Sequence, residues 1–167
     1  KLVLHLPLRA SNLCFLKWEY INFKNKTLTI PRKLMKVKYH NLPDFTLPLT
    51  NEVLDILEDQ KKYLEEYLEI KEFVFIGNDN KKPINTESPN QALNRLGFIG
   101  EKKQSIHSFR GSFQAIVKRH KENHKSNDKV IESILDHFKA SKLESDYTNK
   151  SAYIKQKWLF FYFSRYK

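Results

Sequence analysis

A chain of 167 residues suits one domain with a real core. Hydrophobic residues make up 40%, ordinary for a folded soluble protein, and four Gly and six Pro leave no room for long disordered linkers. The 30 Lys+Arg against 19 Asp+Glu give a net charge of +11, which favours a polyanionic partner: nucleic acid first, an acidic membrane surface second. No apolar run reaches the ~18 residues that span a bilayer.

The chain starts at Lys1 without Met, directly in the apolar run Leu2-Val3-Leu4, and reads as a fragment cut inside or just before a helix. Residues 1–20 read as helix broken by Pro7 and resumed around Ser11-Asn12. The single cysteine, Cys14, excludes an internal disulfide framework; among Leu13, Phe15 and Leu16 it reads as a buried structural thiol. A single cysteine and the lack of a visible secretory signal point to a reducing compartment. Lys26 to Ile30 alternates like a strand, with Asn25 as the turn signal before it and Pro31 as its end. Residues 32–43 are basic without a period. Phe45 to Leu49 reads as a second short strand, joined to its neighbour by a loop.

Thr50 can cap the next helix, and Val53, Leu54, Leu57, Leu64 and Leu68 keep helical spacing to about residue 69. Phe73 to Ile76 reads as a short buried strand closed by Gly77-Asn78. Thr86 to Leu96 predicts a helix stopped by Gly97, and three more helices follow at about 107–121, 127–138 and 151–166, capped in the latter two by Asn127-Asp128 and Ser151. The sum is α+β: mainly helical with a small antiparallel sheet.

Metal chemistry has little support. The six His include no HExxH and no Cys partner set; His120 and His124, four apart, read as exposed basic residues beside Lys118, Arg119, Lys121 and Lys125. There is no Walker loop, no GxGxxG and no GxSxG elbow. What stands out is His107-Ser108-Phe109-Arg110 at a helix start. This spacing puts an imidazole and a guanidinium on one helical face. The Arg fork can grip two phosphate oxygens, and the imidazole can move a proton. Alone, HxxR is equally an ordinary solvated helix start.

Order along the chain adds weight. Leu8-Arg9-Ala10-Ser11-Asn12-Leu13 is followed by Leu16-Lys17-Trp18, Ile21-Asn22-Phe23 and Thr27 to Pro31; Met35-Lys36 and Leu47-Pro48-Leu49 come next. Then come His107 to Arg110, Leu135-Asp136-His137 and Asp146-Tyr147-Thr148-Asn149, with Tyr147 ten residues beyond His137. This series resembles the catalytic domain of the tyrosine recombinase (phage integrase) family: its first arginine, its hairpin lysine, its HxxR box, its Leu-Gly-His box and its nucleophilic tyrosine.

The resemblance implies an α+β catalytic domain over residues 1–167, without the family's N-terminal DNA-clamping domain. It implies that Arg9 and Arg110 clamp the scissile phosphate and stabilise charge on its non-bridging oxygens. Tyr147 would attack phosphorus and form a 3′-phosphotyrosyl bond. Lys36 would protonate the leaving 5′-oxygen, His107 would take the tyrosine proton or help hold the phosphate, and His137 would donate a hydrogen bond to it. A phenol has a pKa near ~10, and surrounding cations lower the cost of the phenolate. The implied partners are double-stranded DNA and three further copies of the chain on paired sites, in a bacterial cytoplasm, with no cofactor, metal or membrane.

Alternatives stay open at several positions. Arg9 also fits a helix surface, Lys33 and Lys38 flank Lys36, and Tyr153 rivals Tyr147. The sequence departs from the family in three places: Asn12 replaces an acidic residue, Asp136 replaces the Gly before the second His, and the loop after Lys36 is longer than usual. A type IB topoisomerase shares the residue set, a non-catalytic DNA-binding relic would keep the basic groove, and an RNA-binding protein is the bland reading. The run Lys157 to Phe163 is very apolar for a terminal helix; it either packs on its own domain or docks on a neighbouring subunit.

Overall fold

The computed structural model describes residues 1–38, 42–67, 72–79, 81–120 and 128–137. In chain order the elements are α1 (Leu2–His5), α2 (Ala10–Cys14), β1 (Ile21–Asn22), β2 (Thr27–Ile30), β3 (Phe45–Pro48), α3 (Asn51–Tyr67), α4 (Ser88–Arg95), α5 (Ile106–Arg119) and α6 (Asp128–Ile134). The predicted α+β class holds. The predicted helix at 151–166 and the aromatic run within it lie outside the described residues. The described residues form two compact units: Lys1–Glu19 with Asp55–Phe113, and Tyr20–Leu54 with the described residues that follow Phe113.

In the first unit the core gathers Leu6, Leu8, Leu13, Leu16, Leu57 and Leu64. Cys14 is fully buried, as its neighbours predicted; burial pushes its thiol up to about 11, and the Glu87 carboxylate adds to the shift. The segment 73–76 is not the strand its residues predicted. It makes isolated antiparallel bridges, Lys17 with Phe73 and Ile76 with Pro83, and only Val74 is buried on it. The chain turns back too soon for a ladder: Gly77 N–H donates to Lys82 O, and the Asp79 carboxylate accepts from the Lys81 and Lys82 amides. Gly97 ends α4 as expected. Its φ of 90° lets Phe98 N–H reach back to Leu93 O, a left-handed cap that glycine adopts without strain.

The second unit holds the three-stranded antiparallel sheet, in the order β1-β2-β3. Ile21 pairs with Leu28, Leu28 with Leu47, and Ile30 with Phe45; all five are buried on one face, as a period of two requires. The opposite face carries the Thr29–Thr46 hydroxyl pair at 3.2 Å. The short β1 was not among the predicted strands. Between β1 and β2 the left-handed residue is Lys26, φ 51°, rather than the predicted turn residue Asn25, whose amide instead donates to the Asn22 side chain. Thr50 caps α3, its hydroxyl accepting from Val53 N–H at 3.4 Å. Helix α6 buries Ile131, Ile134 and then Leu135 along one face.

Candidate active site

Arg9, His107 and Arg110 belong to the first unit, Lys36 and His137 to the second, and Tyr147 and its rival Tyr153 lie outside the described residues.

Arg9 is the residue before α2. Its backbone is extended, φ −67° and ψ 151°, and its carbonyl accepts the first helical bond from Leu13 N–H at 3.0 Å. The side chain is half-buried. Asn12, three residues on, is buried. Helix α5 starts at a serine pair: Ser105 Oγ accepts from Ser108 N–H at 3.2 Å, while Ser105 N–H donates to Ser108 Oγ at 3.3 Å, a reciprocal cap. This fixes the first turn, which carries an exposed His107. One turn on, Arg110 is 6% exposed. Its Nη1 donates to the Pro7 carbonyl, so a guanidinium from α5 is anchored two residues from Arg9. The two arginines are a hundred residues apart in sequence, and the fold brings the second to the segment carrying the first.

In the second unit, Lys36 is exposed and follows the buried Met35 on the loop after a single helical turn at Arg32–Leu34. Lys33 and Lys38 are exposed as well. The guanidinium of Arg32 lies inside this loop. Nε donates to Pro43 O at 2.8 Å, Nη1 to Val37 O at 3.4 Å, and Nη1 again to the Asp136 carboxylate at 2.6 Å.

His137 sits just past α6. Asp136 N–H bonds to Ser133 O and His137 N–H to Glu132 O, at 3.2 and 2.8 Å, with Asp136 at φ 50°. This is the Schellman termination, whose left-handed position is usually glycine. The left-handed turn reverses the chain within one residue and so aims the next one. The reversal brings His137 Nδ1 to 2.9 Å from Glu132 Oε2, with the His137 side chain 42% exposed. Glu132 is itself held by Gln114 Nε2 at 3.0 Å and lies 3.7 Å from Lys118 Nζ.

Sequence reasoning missed Arg32 and Glu132. A signal existed for the first: Asp in place of a capping glycine, in a Leu-Asp-His run, is an acid that the fold must bury beside a cation. Nothing in the sequence said which of many cations. His120, expected to be exposed, is half-buried, and His124 lies outside the described residues. Among the described residues no three His, Cys, Asp or Glu are grouped to hold a metal ion.

Comparison with known proteins decides the family. A model of the phage integrase family matches residues 1–153. The chain belongs to the phage integrase family. This integrase-family chain is 28% identical over 121 residues to the integrase of Shigella phage Sf6, a match covering 72% of this chain and 29% of that protein. It is 27% identical over 157 residues to prophage integrase IntZ of Escherichia coli K12, covering 94% and 35% respectively. The chain thus spans about a third of the length of the curated relatives it matches. Its fold is that of XerA recombinase, with a TM-score of 0.64 at 15% identity over 90% of this chain and 52% of that one. The Tn1549 transposon integrase, solved in complex with circular intermediate DNA, gives 0.60 at 18% identity over 91% and 54%. Among the described residues no helix is long and apolar enough to cross a membrane.

Proposed function

We propose that this chain cuts and rejoins duplex DNA in site-specific recombination, with Tyr147 as nucleophile. The phenolate oxygen attacks the scissile phosphorus; the P–O5′ bond breaks, its electron pair stays on the 5′-oxygen, and Lys36 supplies the proton. The phosphoryl group is kept on Tyr147 as a 3′-phosphotyrosine, so the 5′-hydroxyl of a partner strand can reverse the step. Arg9 and Arg110 stabilise the charge that grows on the non-bridging oxygens, His107 accepts the phenol proton or holds the phosphate, and His137 contacts a phosphate oxygen.

The observation that carries this reading is Arg110, nearly buried and anchored on the Pro7 carbonyl. A guanidinium anchored on the segment that carries a second arginine two residues on suits recognition of a phosphate, because its fork presents paired donors. The +11 charge suits a duplex partner. Four copies on paired sites, in a bacterial cytoplasm, would complete the reaction.

A nicked duplex from which the cleaved fragment diffuses away tests the reading. The wild-type chain should accumulate a covalent protein–DNA adduct. Binding without any adduct would establish instead a DNA-binding relic, the reading that Asn12 and Asp136 keep open. Relaxation of supercoils without strand exchange would point to a type IB topoisomerase.

A further inference from the structure

Asp136 is an expensive residue at its position. A left-handed backbone costs a residue with a side chain more than glycine, Asp less than most, and a buried carboxylate needs a partner. Glycine would avoid both costs. Yet Asp136 is 1% exposed, and its Oδ1 is 2.6 Å from Arg32 Nη1, across 104 residues of sequence. Arg32 does more than neutralise it. Its Nε and Nη1 hold Pro43 O and Val37 O, and its amide donates to the Asp44 carboxylate at 2.8 Å. One buried guanidinium therefore fastens the basic loop at residues 37 and 43, beside Lys36 and Lys38, and fastens the turn that aims His137.

We propose that the Arg32–Asp136 pair is a positioning device that locks the Lys36-bearing loop to the His137-bearing turn, so that the proton donor and the phosphate-holding imidazole are set as one body. Arg32 and Asp136 are positioning residues; neither touches the phosphate. The proposal rests on the roles given above to Lys36 and His137. Its logic is that of a bolt: the left-handed turn that glycine would leave independent is tied by its side chain to the loop. A displacement of about 1 Å in such groups lowers rates as much as ~100-fold.

The test compares Arg32→Met with the double variant Arg32→Met/Asp136→Gly. The single variant strands a buried carboxylate and risks unfolding. The double variant removes both charges and puts glycine where φ is positive, so no buried charge is stranded and the turn is unstrained. Two measurements are made on each. Amide hydrogen exchange should rise together in the 33–38 and 135–137 segments of the double variant. Single-turnover adduct formation should fall ~10- to 100-fold with unchanged DNA affinity. A substrate with sulfur in place of the scissile 5′-oxygen, whose leaving thiolate needs no proton, should recover most of that loss; a merely structural defect would not be recovered. Faster exchange in the loop alone, with the 135–137 turn still protected, overturns the proposal, as does an unchanged adduct rate. If the wild-type chain forms no adduct, the cleavage reading falls, and the exchange measurement still decides whether the pair ties loop to turn.

Discussion

Asp136 Oδ1 and Arg32 Nη1 meet at 2.6 Å in the interior of the second unit, with the two side chains 1% and 9% exposed. Breaking such a pair from one side leaves a buried, uncompensated charge. Asp136→Ala also keeps a side chain at φ 50°. We expect it to cost about 3–5 kcal/mol, read as a lower denaturation midpoint in urea. Arg32→Met/Asp136→Gly should cost distinctly less than Arg32→Met alone, because no charge is stranded. Equal losses for the single and double variants would mean that the pair contributes nothing beyond packing.

Much of this was legible in the sequence, and the failures share a cause. The alternation of Leu28, Ile30, Phe45 and Leu47, and the helical spacing of Val53, Leu57 and Leu64, are local patterns fixed by which face must be buried. Arg9 and the HxxR pair stand out as candidates in the sequence because their residue types suit phosphate chemistry. The 73–76 segment failed because a short apolar run says only that it is buried somewhere; its turn chemistry at Gly77 and Asp79 decided between ladder and bridge. Arg32 and Glu132 failed because their roles are set by partners distant in sequence or by a side chain folding back over a cap. The departure at Asp136 was visible, but its resolution depended on a cation that the sequence does not single out.

Tyr147→Phe removes one oxygen and little volume. DNA binding should persist and the covalent adduct should vanish, whereas Tyr153→Phe should still form it. Adduct from the first variant and none from the second would transfer the nucleophile to Tyr153. A gel under denaturing conditions is sufficient to read both.

Affinity for duplex DNA should depend steeply on salt. Each phosphate neutralised releases counterions and contributes about −0.9 to the slope of log K against log[salt], so several contacts give a slope of roughly −4 to −8. A flat response from low to physiological salt would remove backbone clamping as the main source of affinity.

Cys14 should be inert in the folded chain. With its pKa raised to about 11 by burial and by Glu87, the thiol stays protonated at pH 8, and the thiolate is the species that alkylates. Iodoacetamide should label the chain in urea and leave it unlabelled when native. The raised value also fixes a sign: the folded state holds a proton that the unfolded state releases, so the contribution to stability is complete below the ordinary thiol range and is lost as pH climbs toward 11. Rapid native labelling at pH 8 would contradict the buried placement.

Glu132 holds His137 twice, through its carbonyl on the His137 amide and through its carboxylate on Nδ1. Glu132→Ala removes only the second, so the Schellman turn should survive. The stability cost should be small, about 1 kcal/mol or less, since both side chains are partly solvated. Adduct formation should suffer more, because the ring loses the carboxylate that holds its Nδ1. The decisive comparison is a double-mutant cycle. If Glu132 acts through His137, then Glu132→Ala should slow the wild-type chain about 10-fold, a proportion typical of lost orientation, yet add almost nothing to His137→Ala. Equal slowing in both backgrounds would mean that Glu132 works through Gln114 or Lys118 instead, the two side chains of α5 that also face it.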